Sequence, residues 1–481
     1  MKNNIFFFLF GLYLLLATTE ILNAQSVPLV LTSFRTSSSY QAYVNFAVNN
    51  AHFLANDNQG HIYVVFVDSV EQITVMTRES GIWYSQIVAT AGISEAYKSP
   101  TIQWSQGKLH VSWFVISSDS SIIKYGTGTP LSTGTYTWNI TSFATIPSGA
   151  PKYLTMTVPD LAFNPHFGFT VASDHTARLF RSSGESSISP LQSGLGVLVT
   201  SSDVTIASDS NIIVVAWEEE WAVPVPKDRL VFTISYDGGV TWAPTQNLLN
   251  SGPTPGGDPS LAIADSIVYV AFQKTNFHSS TNIKVARKFP SMDQFELLNL
   301  GTPDSGIVAN GWLTNIDIDK ANPDKFVVSW ERTDGDYFDK WEHRVAVAYI
   351  YNAASQNPLL IIGPETTSPA ADTSLYDLNS NIIISPDGQI ASYVWVNVNE
   401  ISSSRVILTL YFQEDEIQGV TTIESEELTS RARLNFFPNP VNNLISFSNS
   451  QRNIKIFGIT GKLLIENNND TFSVDVSSLP S

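Results

Sequence analysis

The sequence predicts an all-β protein: a β-propeller of seven blades followed by a smaller β-rich domain. Three observations predict it. Short alternating apolar runs, joined by turns rich in Gly, Asn and Asp, recur along the chain, the pattern of strand–turn–strand units. The second run of each unit ends in a large aromatic residue, and these aromatics recur about every 45 to 65 residues, near the length of a four-stranded blade. The repeat stops near Gln413, where the composition turns acidic.

In chain order, Lys2, the apolar run Ile5 to Ala17 and a small residue at Ala24 read as a secretory signal peptide over residues 1–24. That run is too short for a membrane span, and no later stretch approaches the ~18 apolar residues one needs. The propeller is expected over residues 25–413. A strand at Val27 to Phe34 is expected to complete the last blade, which closes the ring and removes exposed sheet edges. First strands start near Ala51, Pro100, Pro159, Asp203, Pro259, Asn315 and Asn381. Second strands end at Phe66, Trp113, Trp217, Phe272, Trp330 and Trp395. The third unit fits through Phe163 to Ala172 with a weaker pattern, so six blades is the alternative count. The recurrent aromatics are read as inter-blade packing.

Of the 481 residues, 43% are hydrophobic and 15% charged, the balance of a folded chain. A net charge of -18 disfavours nucleic acid and anionic membranes and favours neutral or cationic partners. The absence of cysteine excludes disulfides, thiolate metal sites, a cysteine nucleophile and a lipoprotein anchor.

Residues 414–433, with Glu414, Asp415, Glu416, Glu424, Glu426 and Glu427, read as an acidic linker before a domain over residues 434–481. That tail opens with Phe437, Pro438, Asn439 and Pro440, then places a strand at Ile454 to Phe457 and a turn at Gly461. The two prolines favour extended backbone and block a helix. The order resembles the type A C-terminal sorting domain of the type IX secretion system. The resemblance implies a small Ig-like β-sandwich, the type IX machinery as partner, Sec export to the periplasm, and release or anchoring at the surface of a Bacteroidetes-type cell. Family members continue past Leu-Pro-Ser with a Gly-hydrophobic-Tyr strand and a basic end. The chain stops at Ser481, which implies a truncated sequence or a copy that sorts poorly.

A second resemblance rests on Ser235, Asp237, Gly239 and Trp242, within Ser235 to Trp242, which looks like the Asp-box of sialidase-like propellers. It implies a structural turn between third and fourth strands on the face away from catalysis. Sialidases also carry a Phe/Tyr-Arg-Ile-Pro motif and three arginines. The nearest string here, Phe34-Arg35, lacks Ile-Pro, and three equivalent arginines cannot be placed.

The most chemical segments follow the second strands of units four and six. The first runs Trp217, Glu218, Glu219, Glu220, Trp221, on to Arg229; the second runs Glu331 to His343. Both read as loops on the ligand-binding mouth. Carboxylates bond sugar hydroxyls and aromatics stack on sugar rings, so Glu218, Trp221, Arg229, Glu331, Arg332, Tyr337 and Trp341 are candidate ligand residues. Glu219, Glu331 and Asp334 are the carboxylates for glycoside hydrolysis or lysis, should there be catalysis. Asp334, Asp336 and Asp339 are candidate Ca²⁺ ligands, although their spacing is not that of an EF-hand. The bland reading of both segments is solvated charge. Three functions remain: a secreted or outer-membrane-surface propeller binding glycans or acting in adhesion, a diverged sialidase-like glycoside hydrolase, and a structural protein-interaction propeller.

Overall fold

A computed structural model describes residues 28–417, apart from 37–44, 47–50, 119, 148–150, 162–163, 172–175, 182–187, 191–197, 222–226, 250–255, 277–279, 301–310, 334–342, 356–357, 364–374 and 403–404; beyond them it describes strand backbones between 436 and 475. Every named element is a β-strand. Seven four-stranded antiparallel sheets form the blades of a propeller. Six take their strands in sequence order; the seventh is ordered 29–36, 405–416, 390–402, 375–384. The first strand of the chain is therefore the outer strand of the last blade, with Leu29 opposite Phe412 and Thr36 opposite Val406. This is the ring closure expected from Val27 to Phe34.

The aromatics that end the second strands are the packing between blades. Trp113, Trp217, Phe272, Trp330 and Trp395 are all at most 2% exposed. Trp217 packs with Leu179 and Val204 of blades three and four, and Trp330 with Ala271 and Val285 of blade five. Burial of each such ring contributes on the order of 2–3 kcal/mol of apolar transfer.

Each first strand of blades two to seven carries a bulge near its start. The register slips at Lys98/Thr101, Lys152/Thr155, Ser202/Thr205, Gly257/Ser260, Trp312/Asn315 and Leu378/Asn381. At each slip one residue is left-handed: Ser99, Tyr153, Asp203, Asp258, Leu313 and Asn379, with φ between 48° and 59°. Two residues past each bulge residue comes a buried polar side chain, and at Thr101, Ser260, Asn315 and Asn381 it ties blade to blade. The Asn315 Oδ1 accepts the Ile382 amide at 3.0 Å, and the Asn381 Oδ1 accepts that of Leu54 at 3.2 Å. The Thr101 hydroxyl donates to the His52 carbonyl at 2.9 Å. In these positions a polar group satisfies the inner edge of a neighbouring blade, which would otherwise be an open sheet edge.

Two readings of the sequence are corrected here. The first strand of blade three is Pro151–Thr157, and Pro159 to Leu161 belong to the turn that follows it. The last propeller strand, Arg405–Glu416, takes in Glu414, Asp415 and Glu416, the start of the expected linker. Their acidity has partners: the Asp415 carboxylate accepts the hydroxyls of Tyr393 at 2.7 Å and Tyr349 at 3.4 Å. The chain divides into two compact units between Ile417 and Gln418. The second unit holds a three-stranded antiparallel sheet (436–437, 444–451, 471–475) and a two-stranded one (454–457, 463–467).

Candidate functional site

Two places bear on function: the mouth, where the candidate residues are expected, and the axial cavity at the opposite face.

At the mouth, the charged run of blade four is strand. Ile212–Trp221 pairs with Lys227–Ser235, with Glu219 opposite Arg229 and Trp221 opposite Lys227. Glu219 is fully buried. Its Oε2 accepts the Arg229 Nη2 at 2.7 Å and Nε at 3.1 Å, while its Oε1 accepts the Trp217 indole N–H at 3.1 Å. Glu331 and Arg332 likewise lie in a strand, Phe326–Thr333. Glu331 is buried, and its Oε1 accepts the backbone N–H of the bulge residue Asn379 at 2.6 Å. Both carboxylates, expected on loops, thus hold strands and blades together.

Glu218 occupies in blade four the position of Glu331 in blade six, one past the aromatic. It is half-buried and reaches blade five, where a Cβ on Gly257 would lie 2.7 Å from its Oε2. Its carboxyl group hydrogen-bonds that of the bulge residue Asp203, and burial holds Asp203 above the ordinary carboxylate range. Two carboxyls in direct hydrogen bond share a proton. They are closer than the roughly 5–5.5 Å of a retaining glycosidase pair or the roughly 6.5–9.5 Å of an inverting one. Trp221 ends its strand, its side chain outside the described residues; Asp334, Asp336, Tyr337, Asp339 and Trp341 lie outside them entirely. Among the described residues no group of three or more His, Asp or Glu is placed to hold a metal ion.

The Asp-box forms the turn between third and fourth strands of blade four. The Asp237 Oδ1 accepts the Thr241 amide at 2.8 Å and its Oδ2 the Thr241 hydroxyl at 2.6 Å; these bonds hold its pKa down to about 2. The Ser235 hydroxyl accepts the Gly239 amide at 2.8 Å, and the Trp242 indole donates to the Gly239 carbonyl at 3.0 Å. Gly239 has φ +90°, and a Cβ there would lie 2.2 Å from the His166 Nε2. Arg181 of blade three stacks over the Trp242 ring at 4.9 Å. The Gly238 amide donates to the carbonyl of Asn211, in the turn between first and second strands, so the Asp-box and those turns share one face.

On that face the seven first strands enclose a cavity of about 730 Å³, lined by residues of every blade. Its polar wall is partly engaged in the ring itself. Gln103 exchanges hydrogen bonds with the backbone of Val158, and the Thr157 and Ser208 hydroxyls bond each other at 2.6 Å. The Asp317 Oδ2 accepts the Ile384 amide at 2.8 Å, and burial pushes its carboxyl up to about 6. Burial lowers the His52 imidazole to about 4, so it is neutral at pH 7. Asn58, Asp160 and Lys320 bring exposed side chains to the lining. Trp104 is the large aromatic of the lining. It is half-buried, and its ring lies parallel to Tyr63, 5.5 Å away with 2° between the planes. Tyr63 is itself fixed through its hydroxyl, which donates to the Asp57 carboxylate at 2.9 Å. Trp104 resembles in sequence any strand-ending aromatic, so only the structure separates it from the buried set.

No protein-family model matches the chain, and no curated protein matches it in sequence. Among solved structures the chain is similar to a PL25 polysaccharide lyase, an ulvan lyase, at 9% identity over 79% of this chain and 95% of that one, with a TM-score of 0.49. It is similar to the phage phi92 endosialidase at 9% identity over 93% and 76%, TM-score 0.42. It is also similar to a Penicillium chrysogenum α-L-arabinanase at 10% identity over 79% and 98%, TM-score 0.39. Likeness of this degree says nothing of substrate or of residue roles.

Proposed function

We propose that this chain is an extracellular glycan-binding propeller, exported through Sec and then the type IX machinery. The observation that carries the binding reading is the axial cavity: about 730 Å³, within the range of ligand sites, with a fixed, half-exposed tryptophan and polar side chains on its walls. A sugar needs both, an apolar platform for its ring face and hydrogen-bonding groups for its hydroxyls. The export reading is supported by residues 1–24 and by Phe437 to Pro440. Catalysis gains no support from Glu219 or Glu331, whose carboxylates are engaged in structure.

The test is retention of the chain from Gln25 onward on immobilised polysaccharides, with and without Ca²⁺. Selective retention that falls at least tenfold in Trp104→Ala is expected. Retention on none of the panel contradicts glycan binding and favours a protein ligand. Retention that responds to Ca²⁺ and ignores Trp104→Ala moves the site to Asp334, Asp336 and Asp339.

A further inference from the structure

The axial cavity has a shape and a charge, and each restricts what enters. Its wall is continuous, because the first strands of all seven blades contribute to it. A polymer cannot lie across such a wall; an end can enter along the axis. The lining carries three aspartates, Asp57, Asp160 and Asp317, against one lysine, Lys320, and no arginine. Lys320 already acts on Asp317 and on His52. The lining therefore holds more negative than positive charge, with Lys320 its one cation, inside a chain of net charge -18.

Resting on the glycan reading above, we infer that the axial cavity receives the uncharged end of a saccharide chain, stacked on Trp104, and rejects chain ends that carry a carboxylate or sulfate. The platform supports this: Trp104 is held from behind by Tyr63 and Tyr63 by Asp57, so the ring is set before the sugar arrives. The exclusion comes from Asp160 and Asp317. An anion within about 6 Å of a carboxylate in a site of intermediate dielectric loses about tenfold in affinity.

The experiment is calorimetric titration of the chain from Gln25 onward with three probes built on whichever neutral glycan the panel retains: its linear oligosaccharide, the same oligosaccharide ending in a uronic acid, and a cyclic form without ends. The linear neutral probe is expected to bind at least tenfold more tightly than either of the others. Asp160→Asn is expected to narrow the gap to the uronic acid probe, and Asp160→Lys to close it. Asp160 is exposed and its Oδ1 accepts the hydroxyl of the buried Ser105 at 2.7 Å, so a thermal melt of each variant separates loss of that bond from loss of charge. Equal binding of the neutral and uronic acid probes, unchanged in Asp160→Lys, overturns the charge rule. Equal binding of the cyclic probe overturns end recognition. In both cases the glycan reading stands, whereas binding of none of the three removes that reading itself.

Discussion

Replacing Arg229 by Met leaves the fully buried Glu219 without its guanidinium partner. The pair is enclosed, with Glu219 at 0% and Arg229 at 3% exposure and two N–H groups on one carboxylate oxygen at 2.7 and 3.1 Å. Breaking a pair of this kind costs about 3–5 kcal/mol, because a buried charge loses its counter-charge. Glu219→Leu takes the carboxylate from Arg229 and also removes the acceptor of the Trp217 indole, adding about 1–3 kcal/mol. The double variant removes both charges of the pair together and is expected to lose less than the two single variants combined. Urea unfolding at pH 7 followed by tryptophan fluorescence measures all three. The double variant should be more stable than either single one, and raising the salt should change the differences little, since buried pairs are weakly screened. If Arg229→Met unfolds within about 1 kcal/mol of the parent, or if the double variant loses the sum of the singles, Glu219 is not a structural carboxylate.

The pH dependence has a defined sign at Asp317. Its folded value of about 6 lies above the usual carboxylate range, so the folded state holds the proton longer and stability falls as pH rises from about 4 to about 6. Asp317→Asn keeps an acceptor for the Ile384 amide and is expected to abolish that slope, a gain of at most about 3 kcal/mol at pH 7 before solvent screening reduces it; thermal melts from pH 4 to 7 that keep the slope would refute the assignment. Asp237 behaves oppositely: its lowered value gives stability that is present above about pH 4 and lost as pH falls toward 2, and Asp237→Asn should flatten that acid limb. Gly239→Ala places a Cβ on the His166 ring at a φ of +90° and should destabilise by more than about 1 kcal/mol in the same melts; an unchanged melt would mean that the turn relaxes freely.

The propeller is legible in the sequence because its period is written in buried aromatics. Trp113, Trp217, Phe272, Trp330 and Trp395 mark second strands wherever the alternation is regular. Blade three escapes that pattern because its second strand, His166–Val171, carries its aromatics at Phe167 and Phe169 and ends in Val171, while its first strand, Pro151–Thr157, is interrupted by the left-handed Tyr153 and a register slip. The same bulge recurs in six blades and has no common residue, from Ser99 to Leu313, so composition does not announce it. Glu218 to Glu220 and Glu414 to Glu416 read as loop and linker because charge opposes strand burial. The partners that permit it, Arg229 for Glu219 and Tyr349 and Tyr393 for Asp415, come from other strands and are not adjacent in sequence. Trp104 escapes notice for the converse reason: its strand pattern is ordinary, and its half-exposure follows from where the seven first strands meet.

That a saccharide sits in the axial cavity is tested most directly by a crystal structure of the chain from Gln25 onward, soaked with the neutral oligosaccharide that it retains. The predicted result is a sugar ring parallel to the Trp104 indole, with Asn58 or Asp160 within hydrogen-bonding distance of its hydroxyls. A sugar bound at the mouth beside Glu218 and Asp203, with the axial cavity holding only water, would contradict the claim.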